Sequence, residues 1–266
     1  MFSRPLLKAT IKQNYIVFLI IIGVLMIYFP TIISMFNPQT QESLNDMLAM
    51  MPQQLIAAMG FTGDMGTLLK FIATYFYGFL ILLLPMIYTI ISANRSIASH
   101  VDKGSMAYLL STPNARSKIA GTQALFLIAS TTLMITFLTL VGITMCELMF
   151  PGELDIRGFI LLNCGALLLY FALTGISFFA SCLFNDTKNS LALGAGLPVG
   201  FLLLQMISDT GEKFEFLSYF SLYTLFDPAK ITSGEDYLLS FVILAVIGCI
   251  LYLAGILVFR KRDLPL

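Results

Sequence analysis

The stretch Gly158–Phe184, GFILLNCGALLLYFALTGISFFASCLF, runs for 27 residues without one Asp, Glu, Lys or Arg. A helix needs about 20 apolar residues to cross the roughly 30 Å of hydrocarbon in a bilayer. A charge at the centre of such a helix costs roughly 2.5–3.5 kcal/mol, so a charge-free run of this length reads as a membrane span. Five further runs share its character: Tyr15–Phe36, Phe71–Asn94, Ile119–Cys146, Asn189–Ser208 and Tyr237–Phe259. The chain reads as an all-α integral membrane protein of six transmembrane helices, a single domain over residues 1–266.

The charges between the runs are sorted by side. With the amino terminus in the cytoplasm, one face carries Arg4, Lys8, Lys12, Arg95, Lys103, Arg116, Lys118, Lys188, Arg260, Lys261 and Arg262, against the acids Asp102, Asp186 and Asp263. The other face has only Lys70, Arg157, Lys213 and Lys230, and the remaining 12 acids. The formal net charge of zero hides this partition. Lys and Arg near span ends stay on the cytoplasmic side, so both termini are expected there.

Composition excludes several classes. With 58% hydrophobic and 11% charged residues, the chain cannot surface a water-soluble globule, and the short connections leave no room for a soluble catalytic domain. The first apolar run is too long for a signal-peptide core, and Phe29-Pro30-Thr31 makes a poor cleavage site, so it reads as a retained anchor. Cys146, Cys164, Cys182 and Cys249 are scattered singly and read as small buried apolar residues rather than metal ligands. His100 is the only histidine, so histidine-based metal sites and triads lack parts. No metal is expected on this chain.

Within the spans the near-absence of Asp, Glu, His and Arg argues against an ion-coupled transporter and against a strongly charged small substrate. An intramembrane enzyme would need a catalytic set at depth, which the runs do not contain. The second span is rich in rings, Phe71, Tyr75, Phe76, Tyr77, Phe79 and Tyr88, with Pro85 placed to kink it. Phe71, Tyr75, Phe79 and Leu82 are candidates to line a route for an amphipathic cargo; ordinary helix packing is the competing account of those rings.

Outside the spans, Phe2, Leu6, Leu7 and Ile11 share one helical face while Arg4, Lys8 and Lys12 recur on another. That stripe predicts an amphipathic amino-terminal helix in the membrane interface, with plain basic flanking of the first span as the alternative. Ser43–Phe61 predicts a broken amphipathic helix, whose Met47, Met50 and Met51 offer soft ligands to Cu(I) or, more simply, flexible apolar filling. The loop Asp209–Asp236 mixes acids with Phe214, Phe216, Tyr219, Phe220, Tyr223 and Phe226, a composition that predicts an outer, re-entrant-like segment packed back toward the membrane.

The longest cytoplasmic excursion is Arg95–Gln123, RSIASHVDKGSMAYLLSTPNARSKIAGTQ. Ser96–Lys103 predicts a short helix ended by Gly104, followed by apolar Met106, Tyr108, Leu109 and Leu110. Apolar surface outside the bilayer needs a cover, either a partner or the protein's own span ends. Ile97-Ala98, Gly104-Ser105, Leu109-Leu110-Ser111-Thr112-Pro113 and Ala115-Arg116, with the ending Phe259-Arg260-Lys261-Arg262-Asp263-Leu264 and Phe226-Asp227-Pro228, make the chain resemble the membrane-spanning subunits of type 2 ABC exporters (ABC-2 permeases) over its full length. It departs from their pattern at His100, where Glu is usual, and at Gln123, where Lys is common.

The resemblance implies a coupling helix that docks on a separate P-loop ATPase. Its contact residues would be Ser96, Ile97, Ser99, His100, Val101, Asp102, Lys103, Met106, Tyr108 and Leu109. No Gly-x-x-x-x-Gly-Lys-[Ser/Thr] occurs in the chain, so ATP and Mg2+ are expected on the partner. The resemblance further implies two ATPase copies, a second permease copy or paralogue, a bacterial plasma membrane, no nucleic acid, and an amphipathic or hydrophobic peptide, toxin or drug as exported cargo. A membrane anchor or sensor for an ATPase is the alternative.

Overall fold

The computed structural model describes residues 3–37, 66–111, 115–210 and 212–263. The expected helix Ser43–Phe61, with its methionines, and Thr112-Pro113 lie outside the described residues. Six helices are long and apolar enough to span a membrane: α1 (Arg4–Ser34), α2 (Leu68–Ser96), α5 (Arg116–Met149), α6 (Ile156–Leu183), α7 (Thr187–Ser208) and α9 (Leu238–Lys261). Between α2 and α5 lie the short helices α3 (Ala98–Asp102) and α4 (Met106–Leu110), and before α9 lies α8 (Pro228–Ser233). No strand occurs among the described residues.

One end of the bundle gathers the basic residues and both chain ends. Ser3 N–H donates to Thr122 Oγ1 (3.1 Å), Arg95 Nη1 to Gln13 O (3.2 Å), and Arg116 Nη1 to Arg262 O (2.5 Å). We call this the basic end and the opposite one the acidic end.

The separate interfacial helix expected at the amino terminus is absent, because α1 runs unbroken from Arg4. No Gly or Pro stands between Pro5 and Gly23, and the Asn14 amide donates to Thr10 O (3.0 Å) instead of capping a new helix. The buried stripe is Leu6, Thr10 and Asn14, while Ile11 is exposed. Thr10 faces the first turns of α5, where the Gln123 amide donates to Thr10 Oγ1 (3.1 Å). Gln123 thus seals a joint between two helices and takes no part in the surface of the α3–α4 segment.

α6 is the most buried span, packed by α2, α5, α7 and α9. Small residues allow the close approach: a Cβ on Gly175 would lie 3.2 Å from Leu251 Cβ, and one on Gly194 3.2 Å from Ala180 Cβ. Two of the four cysteines, Cys146 and Cys182, are buried as expected, whereas Cys164 and Cys249 are exposed on the outer surface of their helices.

α2 holds a feature that its composition did not announce. Residues Ala73–Leu80 form π-helical turns, with ordinary α-helix from Ile81 onward. A π turn accommodates an extra residue, which rotates the following face by roughly 100°. Phe71, Tyr75, Phe79 and Leu82 would share one face of an α-helix; here Phe71 is buried, Phe79 is exposed, and Leu82 is buried elsewhere.

Downstream of α7 the chain folds back along that helix. The 3-10 segments Glu212–Phe220 and Leu222–Leu225 run along α7, and Ser221 Oγ donates to Phe201 O (2.9 Å). Phe201 lies seven residues before the end of α7, so the segment descends about 10 Å alongside it. Tyr223 and Phe226 are buried, whereas Phe214, Phe216, Tyr219 and Phe220 stay exposed.

Candidate functional site

The segment between α2 and α5 is bolted to the basic end. Ile97 leaves the helical conformation (φ −135°, ψ −57°), and its carbonyl accepts from His100 N (2.9 Å) and Val101 N (3.0 Å), starting α3. Ala98 N–H donates to Ser181 Oγ of α6 (2.9 Å). Gly104 follows in the left-handed region (φ 69°), where a side chain would be strained, and turns the chain into α4. Ile97, Val101 and Met106 join Phe126, Leu127, Phe178 and Phe259 in an apolar cluster that ties α3 and α4 to α5, α6 and α9.

His100 closes the turn. Ser105 Oγ donates to the His100 carbonyl (3.2 Å) and lies 3.0 Å from His100 Nδ1. With its one proton so engaged, the hydroxyl accepts from Nδ1–H, which leaves Nε2 as the outer acceptor. Burial, and then the charge of Lys103, hold the His100 pKa below its ordinary value, which favours this neutral ring.

The ten residues expected to form a contact surface therefore divide. Ser96, Ile97, Ser99, Val101 and Met106 are buried among the protein's own span ends. Asp102, Lys103 and Tyr108 are exposed, Tyr108 at 79%, with His100 and Leu109 half-buried beside them. Burial against the protein's own span ends accounts for Ile97, Val101 and Met106 and leaves Tyr108 uncovered.

At the acidic end a cavity of about 280 Å3 opens beside the π turns of α2, between the end of α7 and α8. Its polar lining includes Lys70, Thr74, Gln205, Asp209, Asp227 and Lys230, and its apolar lining includes Tyr77, Leu82, Tyr223 and Phe226. Gln205 Nε2 donates to Asp209 Oδ1 (2.9 Å) and Thr224 Oγ1 donates to Gln205 Oε1 (2.6 Å). Burial, and then the carboxylate of Asp227, raise the Asp209 pKa, while the Gln205 hydrogen bond opposes the rise. Asp227 Oδ1 caps α8, accepting from Ala229 N (2.9 Å) and Lys230 N (3.2 Å). Of the four candidate lining residues only Leu82 borders this cavity; Phe71 instead packs between Phe36 and Tyr75, with ring centroids 5.5 and 4.6 Å away. Sequence reading missed the charged mouth, whose parts lie on three loops and helix ends far apart in the chain.

A line of hydrogen bonds on α6 runs between the two ends. Ser181 holds Ala98, Ser177 Oγ donates to Gly194 O (2.6 Å), Tyr170 Oη donates toward Ile81 O (2.5 Å) and Leu82 O (2.7 Å), and Asn163 Oδ1 accepts from Tyr77 Oη (2.8 Å). Residues 163, 170, 177 and 181 fall on one helical face, and they span about 27 Å at 1.5 Å per residue. Two of these bonds answer prolines. Pro85 and Pro198 lack an N–H, which orphans the carbonyls four residues back, Ile81 and Gly194. Tyr170 and Ser177 supply the missing donors, as an interior without water requires.

The family model described as "ABC-2 family transporter protein" matches residues 8–264. The chain belongs to the ABC-2 family. Comparison with curated proteins and with solved structures found no significant match. As a multi-pass ABC-2 membrane protein, the chain is a permease of an ABC transporter, a kind of subunit that is not itself catalytic and generally works with an ATPase. In this ABC-2 permease the α3–α4 segment and the acidic-end cavity lie at opposite ends of the hydrogen-bonded face of α6.

Proposed function

We propose that this ABC-2 permease serves an ATP-driven exporter, with the basic end in the cytoplasm and an ATPase docked on His100, Asp102, Lys103, Tyr108 and Leu109. The observation that carries this reading is the split character of the α3–α4 segment. Its inner side is locked into the cores of three spans, while its outer side presents a large aromatic residue and two opposite charges to water. Exposed rings flanked by charges suit the buried centre and polar rim of a protein interface. ATP and Mg2+ belong to the partner in this scheme, and two ATPases work with two permeases, this chain paired with a copy or a paralogue.

Movement of the docked segment is passed to α6 through Ala98–Ser181 and to α5 and α9 through Met106 and Phe259. α6 in turn braces α7, α2 and the π turns beside the acidic-end cavity. Rocking of α6 against these helices alternates access to a route ending in that cavity. Its charged mouth and ring-lined floor suit an amphipathic cargo such as a peptide or hydrophobic toxin, moving outward.

Mass spectrometry of partners retained on the gently solubilised full-length chain tests the docking. A P-loop ATPase should co-purify with the native chain and be lost from the Asp102→Lys/Lys103→Glu and Tyr108→Ala variants. An ATPase retained by both variants refutes the surface, and no ATPase at all refutes the permease scheme. A non-transporting anchor is the second reading: in a reconstituted complex its ATP hydrolysis would not respond to any amphipathic peptide or lipid.

A further inference from the structure

The acidic-end cavity leaves two of its open charges poorly matched. Asp209 is half-buried on its wall, and its one hydrogen bond comes from the neutral Gln205 amide, on Oδ1 (2.9 Å). Thr224, donating to Gln205 Oε1 (2.6 Å), fixes which way that amide turns. No cation among the described residues pairs with Asp209, and the charge that acts on it is the carboxylate of Asp227. Two carboxylates facing one space oppose each other, and an incoming cation would relieve both. Asp227 spends Oδ1 on the cap of α8 and meets Lys230 Nζ only at 3.9 Å, with the two side chains 39% and 60% exposed. So exposed a pair is weak, and Lys230 can turn to another anion at little cost.

The lining changes with depth. Lys70 stands in the first turns of α2 and Asp209 just past the end of α7, at the level of the lipid headgroups, with exposed Lys230 on α8 beside them. Leu82 lies about three turns deeper on α2. Charge above and apolar side chains below is the order of a lipid in its own leaflet. At about 280 Å3 the cavity falls just short of the roughly 300–1,000 Å3 that enclose a whole small ligand. It therefore takes a head and leaves an apolar chain outside, where the bilayer receives it. By sequence this face carries 12 of the 15 acids and only four basic residues, a field that repels a purely anionic head.

We propose that this cavity binds the head of a zwitterionic phospholipid of the ethanolamine type, drawn from the adjoining leaflet, with its primary ammonium on Asp209 and its phosphate on Lys230. An ammonium has three N–H donors and an ionised carboxylate only accepts, so the contact is a charge-assisted hydrogen bond. A choline head keeps the positive charge but has no N–H to give, and a glycerol head lacks the cation. The site requires neither the docked ATPase nor a transport cycle. A cargo leaving by the cavity would compete with the lipid for its mouth.

Native mass spectrometry of the full-length chain, titrated in mild detergent with dioleoyl lipids bearing ethanolamine, choline or glycerol heads, tests this. One ethanolamine lipid per chain should be retained, about 3- to 10-fold more tightly than the choline lipid, the effect of one hydrogen bond at a part-exposed site. The glycerol lipid should bind more weakly still. Asp209→Asn should remove most of the ethanolamine preference without weakening the glycerol lipid, and Lys230→Gln should weaken the ethanolamine and choline lipids alike. Equal affinities for the three lipids overturn the proposal. So does an ethanolamine preference that survives Asp209→Asn, or zwitterionic lipids unmoved by Lys230→Gln. Trileucine with free ends carries both charges; displacement of the lipid by it, and not by its acetylated and amidated form, would assign the mouth to a peptide end instead. Thermal melts report folding of each variant, and if Asp209→Asn fails to fold, the exposed Lys230→Gln decides.

Discussion

Replacing Tyr170 by Phe should destabilise the protein only as long as Pro85 is present. The hydroxyl of Tyr170 serves Ile81 O, whose natural donor, the N–H four residues on, is missing in Pro85. Both Ile81 and Tyr170 are fully buried, so neither water nor headgroups can replace the bond. An orphaned buried carbonyl costs about 1–3 kcal/mol in soluble proteins. Double-mutant cycles within membranes average nearer 0.6 kcal/mol with a ceiling of about 1.7, because the unfolded chain in lipid finds other partners. Total burial places this bond toward the upper part of the membrane range, at about 1–1.7 kcal/mol. Pro85→Ala restores an N–H one turn from Ile81, so Tyr170→Phe should cost almost nothing in the Pro85→Ala background. The coupling energy is then nearly the whole cost of the single change. Thermal melts in detergent or nanodiscs read it: 1 kcal/mol moves the midpoint of a domain this size by about 2–4 °C. Pro85→Ala alone mixes this bond with helix propensity and is no test. Equal costs of Tyr170→Phe in both backgrounds, within about 0.5 kcal/mol, would refute the reasoning and reduce Tyr170 to packing.

Three further outcomes follow from the sites. Met106→Ala should lower the melting midpoint, since a buried Met→Ala change costs about 2–5 kcal/mol, whereas Tyr108→Ala should leave it within about 0.5 kcal/mol; similar losses for the two would contradict the division of the α3–α4 segment. His100 has its folded pKa below the ordinary value of 6.5, so the stability it contributes is present above that pH and is lost as pH falls through the folded pKa. Melting curves of the native chain and His100→Gln should therefore separate only on acidification below about 6.5. Asp209 has its pKa raised above 3.8, so its ionisation opposes folding progressively as pH rises from there. Asp209→Asn, which can keep a hydrogen bond to Gln205, should melt higher at neutral pH and no higher at about pH 3, below the ordinary carboxylate range, and the reverse pattern would reject the stated cause.

Much of this architecture is legible in the sequence because a bilayer imposes one strong rule, length without charge. Five of the six runs match their helices to within a few residues. The first fails at its amino end, since a basic stripe looks the same on an interfacial helix and on extra turns of a span. What separates the two is the pairing of Thr10 with Gln123, 113 residues away. The π turns of α2 were illegible for a related reason: their composition is that of an α-helix, and the residues they pack against, Asn163 and Phe29, belong to other spans. In the α3–α4 segment the motif placed the helix and the glycine turn, but not the direction each side chain faces. Spacing cannot give that direction when two five-residue helices meet at a turn.

The prolines explain why α6, rather than a more conspicuous element, organises the bundle. Each of α2 and α7 carries a proline that weakens it at mid-span, and each weak point is met by a hydroxyl from α6. A helix freed of one backbone bond is easier to bend there, and a donor that can leave or return lets the bend have two states. Tyr170 reaches both Ile81 O and Leu82 O, two carbonyls of successive residues for one proton, so it can serve either as α2 turns. The π turns that border the acidic-end cavity begin directly above that point, and Tyr77 within them is held by Asn163 on the same face of α6. Under the proposed docking, a displacement entering α6 at Ser181 would meet, in order, the weak point of α7, the weak point of α2 and the wall of the cavity. Stiffening α6 alone would not impede such motion. Removing the two prolines would, and the Pro85→Ala/Pro198→Ala protein should be more stable and less active in any transport assay to which the native chain responds.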